Sequence, residues 1–203
     1  MGHNLPMALP RSRPATYDDL LKLPEHVVGE IVGGELFASP RPAAPHAAAA
    51  SSITGDLNGS FHRRPGGPQG PGGWWILDEP ELHLGGDVLV PDLAGWRRER
   101  LPRIADTVAF TLAPDWLCEV LSPSTARLDR LRKLPRYAEA GVAHAWLVDP
   151  IARTVEVYQL EGGRWVLLGT HGDETDPVRI PPVSEIAVDL SRWWLAEAEG
   201  APR

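Results

Sequence analysis

The chain has 203 residues, of which 43% are hydrophobic and 23% charged; that is enough to bury a full core in one domain. Its formal net charge of −7 argues against broad, non-specific nucleic-acid binding, which is driven by phosphate neutralisation. No apolar run approaches the about 18 residues of a membrane span, and a single cysteine, Cys118, excludes an internal disulfide. The N-terminal segment lacks the basic flank and apolar stretch of a secretory signal, so a cytoplasmic location is expected.

In chain order, residues 1–14 read as a flexible tail rich in Pro and Arg. Thr16 followed by Asp18 and Asp19 signals the capped start of a short helix over 16–23, which Pro24 ends. Apolar stretches at 27–32 and 35–38 flank Gly33-Gly34, a two-residue hairpin signal. Residues 46–62 are Ala-rich and predict a helix, weakened at Gly55 and Gly59 by about 1 kcal/mol each. Residues 63–73 hold five glycines and three prolines and read as a loop. Strands are predicted at 74–77, 81–84 and 88–93 in one meander, and at 115–121, where a nearly unbroken apolar run suits a strand buried on both faces. A helix over 125–140, closed by Gly141, leads to a buried strand at 143–148. The strand at 115–121, this helix and the next strand form a β-α-β unit, so the two strands should be parallel. A hairpin at 154–160 and 164–169, a strand-like stretch at 186–190 and a short Trp-bearing helix follow. The organisation expected is one mixed α/β domain over 15–195, with a further tail over 196–203.

Three residues carry the candidate chemistry. Asp92 directly follows Pro91, and proline borders a strand where water reaches it. Glu119 stands amid Trp116, Leu117, Cys118, Val120 and Leu121, where an acid is expensive to bury without a partner or a metal. Lys133 is one of only two lysines, with Lys22, against eighteen arginines. A lysine that persists in such a composition suits a site needing a compact ammonium, which guanidinium does not supply. Two carboxylates on neighbouring strands with a lysine nearby suit Mg²⁺ or Mn²⁺, hard cations that take oxygen ligands, and phosphodiester hydrolysis. The metal would be held by Asp92 and Glu119, with Lys133 serving the attacking water or the transition-state charge. Two bland readings stand beside this: Glu119 salt-bridged to an arginine, and Asp129–Lys133 as a surface i, i+4 ion pair. Asp129, Lys133 and Tyr137 share one helical stripe. Asp87 and Asp78-Glu79 read as loop carboxylates near the first acid.

The succession Val28-Gly29-Glu30, Pro45-His46, Val90-Pro91-Asp92, Glu119-Val120-Leu121-Ser122-Pro123-Ser124-Thr125, Asp129-x₃-Lys133-x₃-Tyr137-x₃-Gly141-Val142 and Trp146-Leu147-Val148-Asp149-Pro150 resembles the Uma-two family of restriction endonuclease-like proteins, over about residues 16–190. The resemblance implies a PD-(D/E)XK nuclease-like fold: a mixed β-sheet flanked by helices, here with an additional N-terminal hairpin and a late β-hairpin. It implies a divalent-metal endonuclease acting on nucleic acid, with DNA the expected substrate; a homodimer is expected as the assembly. It matches Asp92 to the first acid, Glu119 to the second, and Glu30 and His46 to accessory positions. The lysine that usually lies two residues after the second acid is replaced by Leu121, so the role passes to Lys133. Pro135, two residues beyond Lys133 and inside the expected helix, bears on its reach to Glu119. The alternative is a non-catalytic module of the same fold, used for binding or assembly. Trp74, Trp75, Trp193 and Trp194 are candidates for packing, a subunit interface or base stacking; Val155, Val157 and Tyr158 are candidates for a dimer surface.

Overall fold

The computed structural model describes residues 7–8, 13–66, 70–172 and 174–195. The tails expected at 1–14 and 196–203 fall almost entirely outside these residues, as do positions 67–69 of the glycine-rich loop.

Two sheets divide the strands. The first holds β1 (Met7–Ala8), β2 (Val27–Val32), β3 (Glu35–Pro40), β5 (Leu82–Leu84) and β6 (Asp87–Leu89), in the order β1-β3-β2-β6-β5. The second holds β4 (Trp74–Asp78), β7 (Leu93–Arg97), β8 (Trp116–Val120), β9 (His144–Asp149), β10 (Thr154–Glu161) and β11 (Arg164–His171), in the order β11-β10-β9-β8-β7-β4. Every pairing between these strands is antiparallel except β8 with β9, which are parallel from Trp116↔His144 to Val120↔Val148. The expected β-α-β unit is therefore present. Its central strand β8 is buried along its whole length, as its apolar run requires.

Local chemistry accounts for several elements. In α1 (Tyr17–Leu20), Asp19 accepts hydrogen bonds from the Thr16 backbone N–H at 3.0 Å and hydroxyl at 2.9 Å, tying down the helix start. The β2–β3 hairpin turns on Gly33 and Gly34, with φ of 61° and 79°, the left-handed pair that a two-residue turn demands. Helix α2 (Ala44–Phe61) buries Ala49, Ile53, Leu57 and Phe61, an i, i+4 ladder laid on one face of the six-stranded sheet, where Trp74, Ile76, Trp116, Trp146 and Trp193 complete the core. The opposite face carries Trp96, Leu117, Leu121, Leu128, Leu134 and Tyr137, and packs with Val32, Leu82 and Leu89 of the other sheet.

The helix expected over 125–140 runs as α3 (Ala126–Leu128), a π-helical turn (Asp129–Lys133) and α4 (Leu134–Glu139). Leu134 donates its N–H to Asp129 O, five residues back. Pro135 is the physical reason: it has no N–H and its ring crowds the carbonyl four residues earlier. Widening one turn accommodates it without breaking the helix.

Some expectations are corrected. The strands near 74–93 are not one meander. β4 pairs with β7, in the six-stranded sheet, whereas β5 and β6 pair with each other and join β2. The stretch 88–93 breaks at Val90-Pro91-Asp92, where the chain crosses from one sheet to the other, and the strand Leu93–Arg97 was not anticipated. Periodicity does not reveal which sheet a strand joins. The late hairpin extends the six-stranded sheet through β9–β10 pairing. Val155 and Val157 are fully buried in its core, so they cannot form a dimer surface; the exposed apolar residues of this hairpin are Val166, Leu167 and Leu168. Asp87 lies in β6 rather than a loop and binds Gly33 N–H at 2.6 Å.

Candidate active site

The crossover Val90-Pro91-Asp92 lies where the two sheets meet, and side chains from both sheets fasten it. Glu30 of β2 accepts the Val90 N–H at 2.8 Å, and Lys133 of the π-turn donates to Val90 O at 3.3 Å. Both polar groups of this backbone unit are thereby satisfied. Asp92 follows, with Oδ2 accepting the Val120 N–H of β8 at 2.7 Å and Oδ1 against His46 Nε2 at 2.7 Å. His46 sits in the first turn of α2, which brings it over the sheet end from the opposite layer.

Glu119 lies at the centre. Its Oε1 receives the Tyr137 hydroxyl at 2.7 Å and the Lys133 ammonium at 2.9 Å. Lys133 Nζ also lies 2.9 Å from Glu30 Oε1 and 3.7 Å from Asp129 Oδ1. Its three N–H groups thus meet three acceptors, Glu30, Glu119 and Val90 O. Glu30, Glu119, Asp129 and Lys133 are each at most 6% exposed. The reading of Asp129–Lys133 as a surface pair is therefore corrected, and Glu119 is bridged to a lysine rather than an arginine.

These groups line one cavity of about 380 Å³, with Ser122, Pro123, Ser124 and Thr125 on one wall and Arg41 and Pro42 on another. Burial pushes the Glu119 carboxyl well above the usual range; Asp129, Asp92 and Glu30 push the same way and Lys133 pulls back. Burial works against the Lys133 ammonium, yet Glu119, Glu30 and Asp129 hold it well above its ordinary value. Burial raises Asp129 to about 6, against the pull of Lys133. Burial raises the Tyr137 phenol too, with Glu119 adding to it, so Tyr137 is a donor throughout the ordinary pH range.

All five residues singled out in the sequence, Glu30, His46, Asp92, Glu119 and Lys133, line this cavity. Of the loop carboxylates, Glu79 also lines it, whereas Asp87 does not. Two further members had signals that were underread. Tyr137 appeared only as part of the Asp129–Lys133–Tyr137 stripe, and its bond to Glu119 depends on the widened turn. The hydroxyl-rich bend Ser122–Thr125, where Ser122 Oγ lies 2.8 Å from Ser124 Oγ and 3.0 Å from Thr125 Oγ1, is legible as Ser-Pro-Ser-Thr but has no spacing that announces a site.

A family model, Uma2, described as "Putative restriction endonuclease", matches residues 15–191. The chain belongs to the Uma2 family. A crystal structure of "a putative nuclease belonging to DUF820" from Anabaena variabilis is similar to this Uma2 member at 26% identity, with a TM-score of 0.71, over 89% of this chain and 98% of the other. No curated protein matches the sequence. The mixed α/β fold is therefore restriction-endonuclease-like. Among the described residues no helix is long and apolar enough to cross a membrane.

Within this Uma2 member, the donor set decides which ion would fit. Among the described residues no group of three or more His, Cys, Asp or Glu side chains is placed to hold a metal, so a closed zinc-type cage is absent there. Mg²⁺ needs only one or two carboxylates, with water and substrate oxygens completing its shell. Asp92 and Glu119 meet that requirement. Five carboxyl groups line the cavity, from Glu30, Glu79, Asp92, Glu119 and Asp129, against the cationic side chains of Lys133 and Arg41.

Proposed function

We propose that this Uma2 member is a divalent-metal-dependent endonuclease that hydrolyses phosphodiester bonds of nucleic acid, with DNA as substrate and Mg²⁺ or Mn²⁺ as cofactor. One observation carries the proposal: Asp92, Glu119 and Lys133, up to 41 positions apart in the sequence, meet in one cavity, with Lys133 bonded directly to Glu119. The family and its structural neighbour support the nuclease reading.

Asp92 and Glu119 would hold the ion, which would supply Lewis-acid polarisation of the phosphate and a more acidic bound water. His46 and the Val120 N–H fix the orientation of Asp92. Tyr137 and Lys133 both contact Oε1 of Glu119 and so fix the orientation of that carboxyl. Because Lys133 is held as an ammonium with all three protons engaged, its resting role is to neutralise Glu30 and Glu119 and to set their geometry. Lys133 lines the cavity, so the same ammonium would offset negative charge developing on a phosphate bound there. In the reaction, water adds in line to phosphorus, the P–O ester bond breaks, and a phosphomonoester and a hydroxyl end result.

The test is calorimetric titration of Mn²⁺ into wild type and Asp92→Asn, with plasmid cleavage followed in parallel. The expected result is binding and cleavage by wild type, and loss of both in Asp92→Asn. Cleavage unchanged in Asp92→Asn would refute the assignment. Absence of both Mn²⁺ binding and cleavage in wild type would favour the non-catalytic binding module.

A further inference from the structure

At the ends of β4 and β7 remote from Asp92, basic groups collect on this acidic chain. The Arg98 backbone N–H bonds to Gly73 O at 2.8 Å, and its Nε donates to Trp74 O at 3.1 Å. Its guanidinium carbon lies 3.4 Å from the centroid of the Trp75 ring. Trp75 is itself held by an indole bond to Leu101 O at 2.8 Å and by the edge-on ring of His62. The guanidinium plane is therefore fixed by stacking and by one anchored nitrogen, and its two terminal nitrogens have no hydrogen-bond partner among the described residues. A fork so prepared loses little freedom on gripping a phosphate.

Arg64, exposed just past the end of α2, is brought beside Arg98 by the backbone: Gly73 donates its N–H to Arg63 O at 2.7 Å and accepts the Arg98 N–H at 2.8 Å. Arg97 stacks on Trp74 from the neighbouring position, at 4.5 Å. Among the described residues none of Arg64, Arg97 and Arg98 forms an ion pair. Arg100, Arg130, Arg132 and Arg136 all do. Those four are neutralised by carboxylates; among the described residues Arg64, Arg97 and Arg98 are not.

Arg98 lies six positions beyond Asp92, with β7 between them, or roughly 20 Å at strand rise. Along a duplex axis that is about six base pairs. Helix α2 spans the same interval, with His46 at the cavity and Arg64 just past its far end. Its outer positions include Gly55 and Gly59, where an added Cβ would meet nothing within 4 Å.

We propose that Arg64 and Arg98 form an anchoring site for the sugar–phosphate backbone of a duplex whose scissile phosphate occupies the cavity. The site grips a phosphate several base pairs from the one cleaved. The proposal rests on the nuclease reading, and the experiment separates the two. Fluorescence anisotropy would follow binding of Asp92→Asn protein to a duplex of about 24 base pairs across a salt series, with and without Arg64→Gln/Arg98→Gln. Two lost phosphate contacts flatten the slope of log K against log salt by about 1.8, and affinity should fall at least tenfold at low salt. A duplex of about five base pairs, too short to bridge the interval, should be bound equally by both. Arg98→Lys, which keeps the charge, should retain most of the slope, and equal melting temperatures would exclude misfolding.

An unchanged slope for the long duplex would overturn the proposal. So would displacement of the duplex by inorganic phosphate at far lower ionic strength than by sodium chloride, because that marks a free-anion site. Hydrolysis of bis-p-nitrophenyl phosphate with Mn²⁺ should be insensitive to Arg64→Gln/Arg98→Gln. If no such hydrolysis and no cleavage occur while arginine-dependent duplex binding persists, the nuclease reading fails and the anchoring site stands.

Discussion

Replacing Lys133 by methionine removes the one ammonium from a nest of buried acids while nearly keeping its length. In the native protein Nζ lies 2.9 Å from both Glu30 and Glu119 and 3.7 Å from Asp129. All four side chains are at most 7% exposed, so water cannot take over the role of the lost cation. Breaking a buried pair by removing one partner destabilises by about 3–5 kcal/mol. For a chain of this size each kcal/mol shifts the melting temperature by about 2–4 °C, so Lys133→Met should melt about 6–20 °C below wild type. Differential scanning calorimetry in metal-free buffer near pH 8 is the assay. Adding Glu119→Gln to Lys133→Met should recover part of the loss, since coupled neighbours show interaction energies of about 0.5–3 kcal/mol. Saturating Mn²⁺ should raise the melting temperature of Lys133→Met by more than it raises wild type, because the ion supplies the missing positive charge. A melting temperature within about 3 °C of wild type for Lys133→Met would refute the reasoning, since the acids would then have tolerated the loss of their only close ammonium.

Gly95 lies in β7, where an added Cβ would stand 3.1 Å from Ile76 Cδ1 and Trp116 Cε3 and 3.2 Å from Trp74 Cε3. Gly95→Ala should lose about 1–3 kcal/mol by overpacking, read as a lower urea midpoint at unchanged m-value. The three tyrosines all titrate late. Tyr17 is raised from the usual 10.0 by its bond to Glu81, Tyr137 well above it by burial, and Tyr158 to about 12 by burial and its bond to Glu156. Their folded values exceed their unfolded ones, so the unfolded chain releases these protons first. Stability is full below pH about 10 and falls as pH rises above it. Absorbance at 295 nm should show less tyrosinate in the folded protein at pH 10 than in the urea-unfolded chain, which is about half ionised there. Half ionisation in the folded state at that pH would contradict the buried hydroxyl bonds.

Much of this was written in short-range chemistry. Gly33-Gly34 specifies its hairpin because two adjacent positive-φ residues are needed there. The run from Trp116 to Leu121 reads as a strand buried on both faces, and an acid within it stands out because its burial demands a partner. The scarcity of lysine drew attention to Lys133, and Pro91 to Asp92. These features act within a few residues, so a single sequence carries them.

The meeting of those residues was a matter for the tertiary structure. Whether Lys133 reached Glu119 past Pro135 depended on a turn widening to five-residue bonding, which helical periodicity does not encode. Assigning β5 and β6 to one sheet and β4 and β7 to the other made Val90-Pro91-Asp92 a crossover, and there Glu30 and Lys133 fasten the two backbone groups of one residue, Val90. The stacking of Arg98 on Trp75 likewise joins residues whose adjacency is created by strand pairing. Turns, caps and strand character arise from each residue and its near neighbours. The convergence of charged groups as far apart as Glu30 and Lys133 is set by how layers pack, and the sequence lists those groups without saying which of them touch.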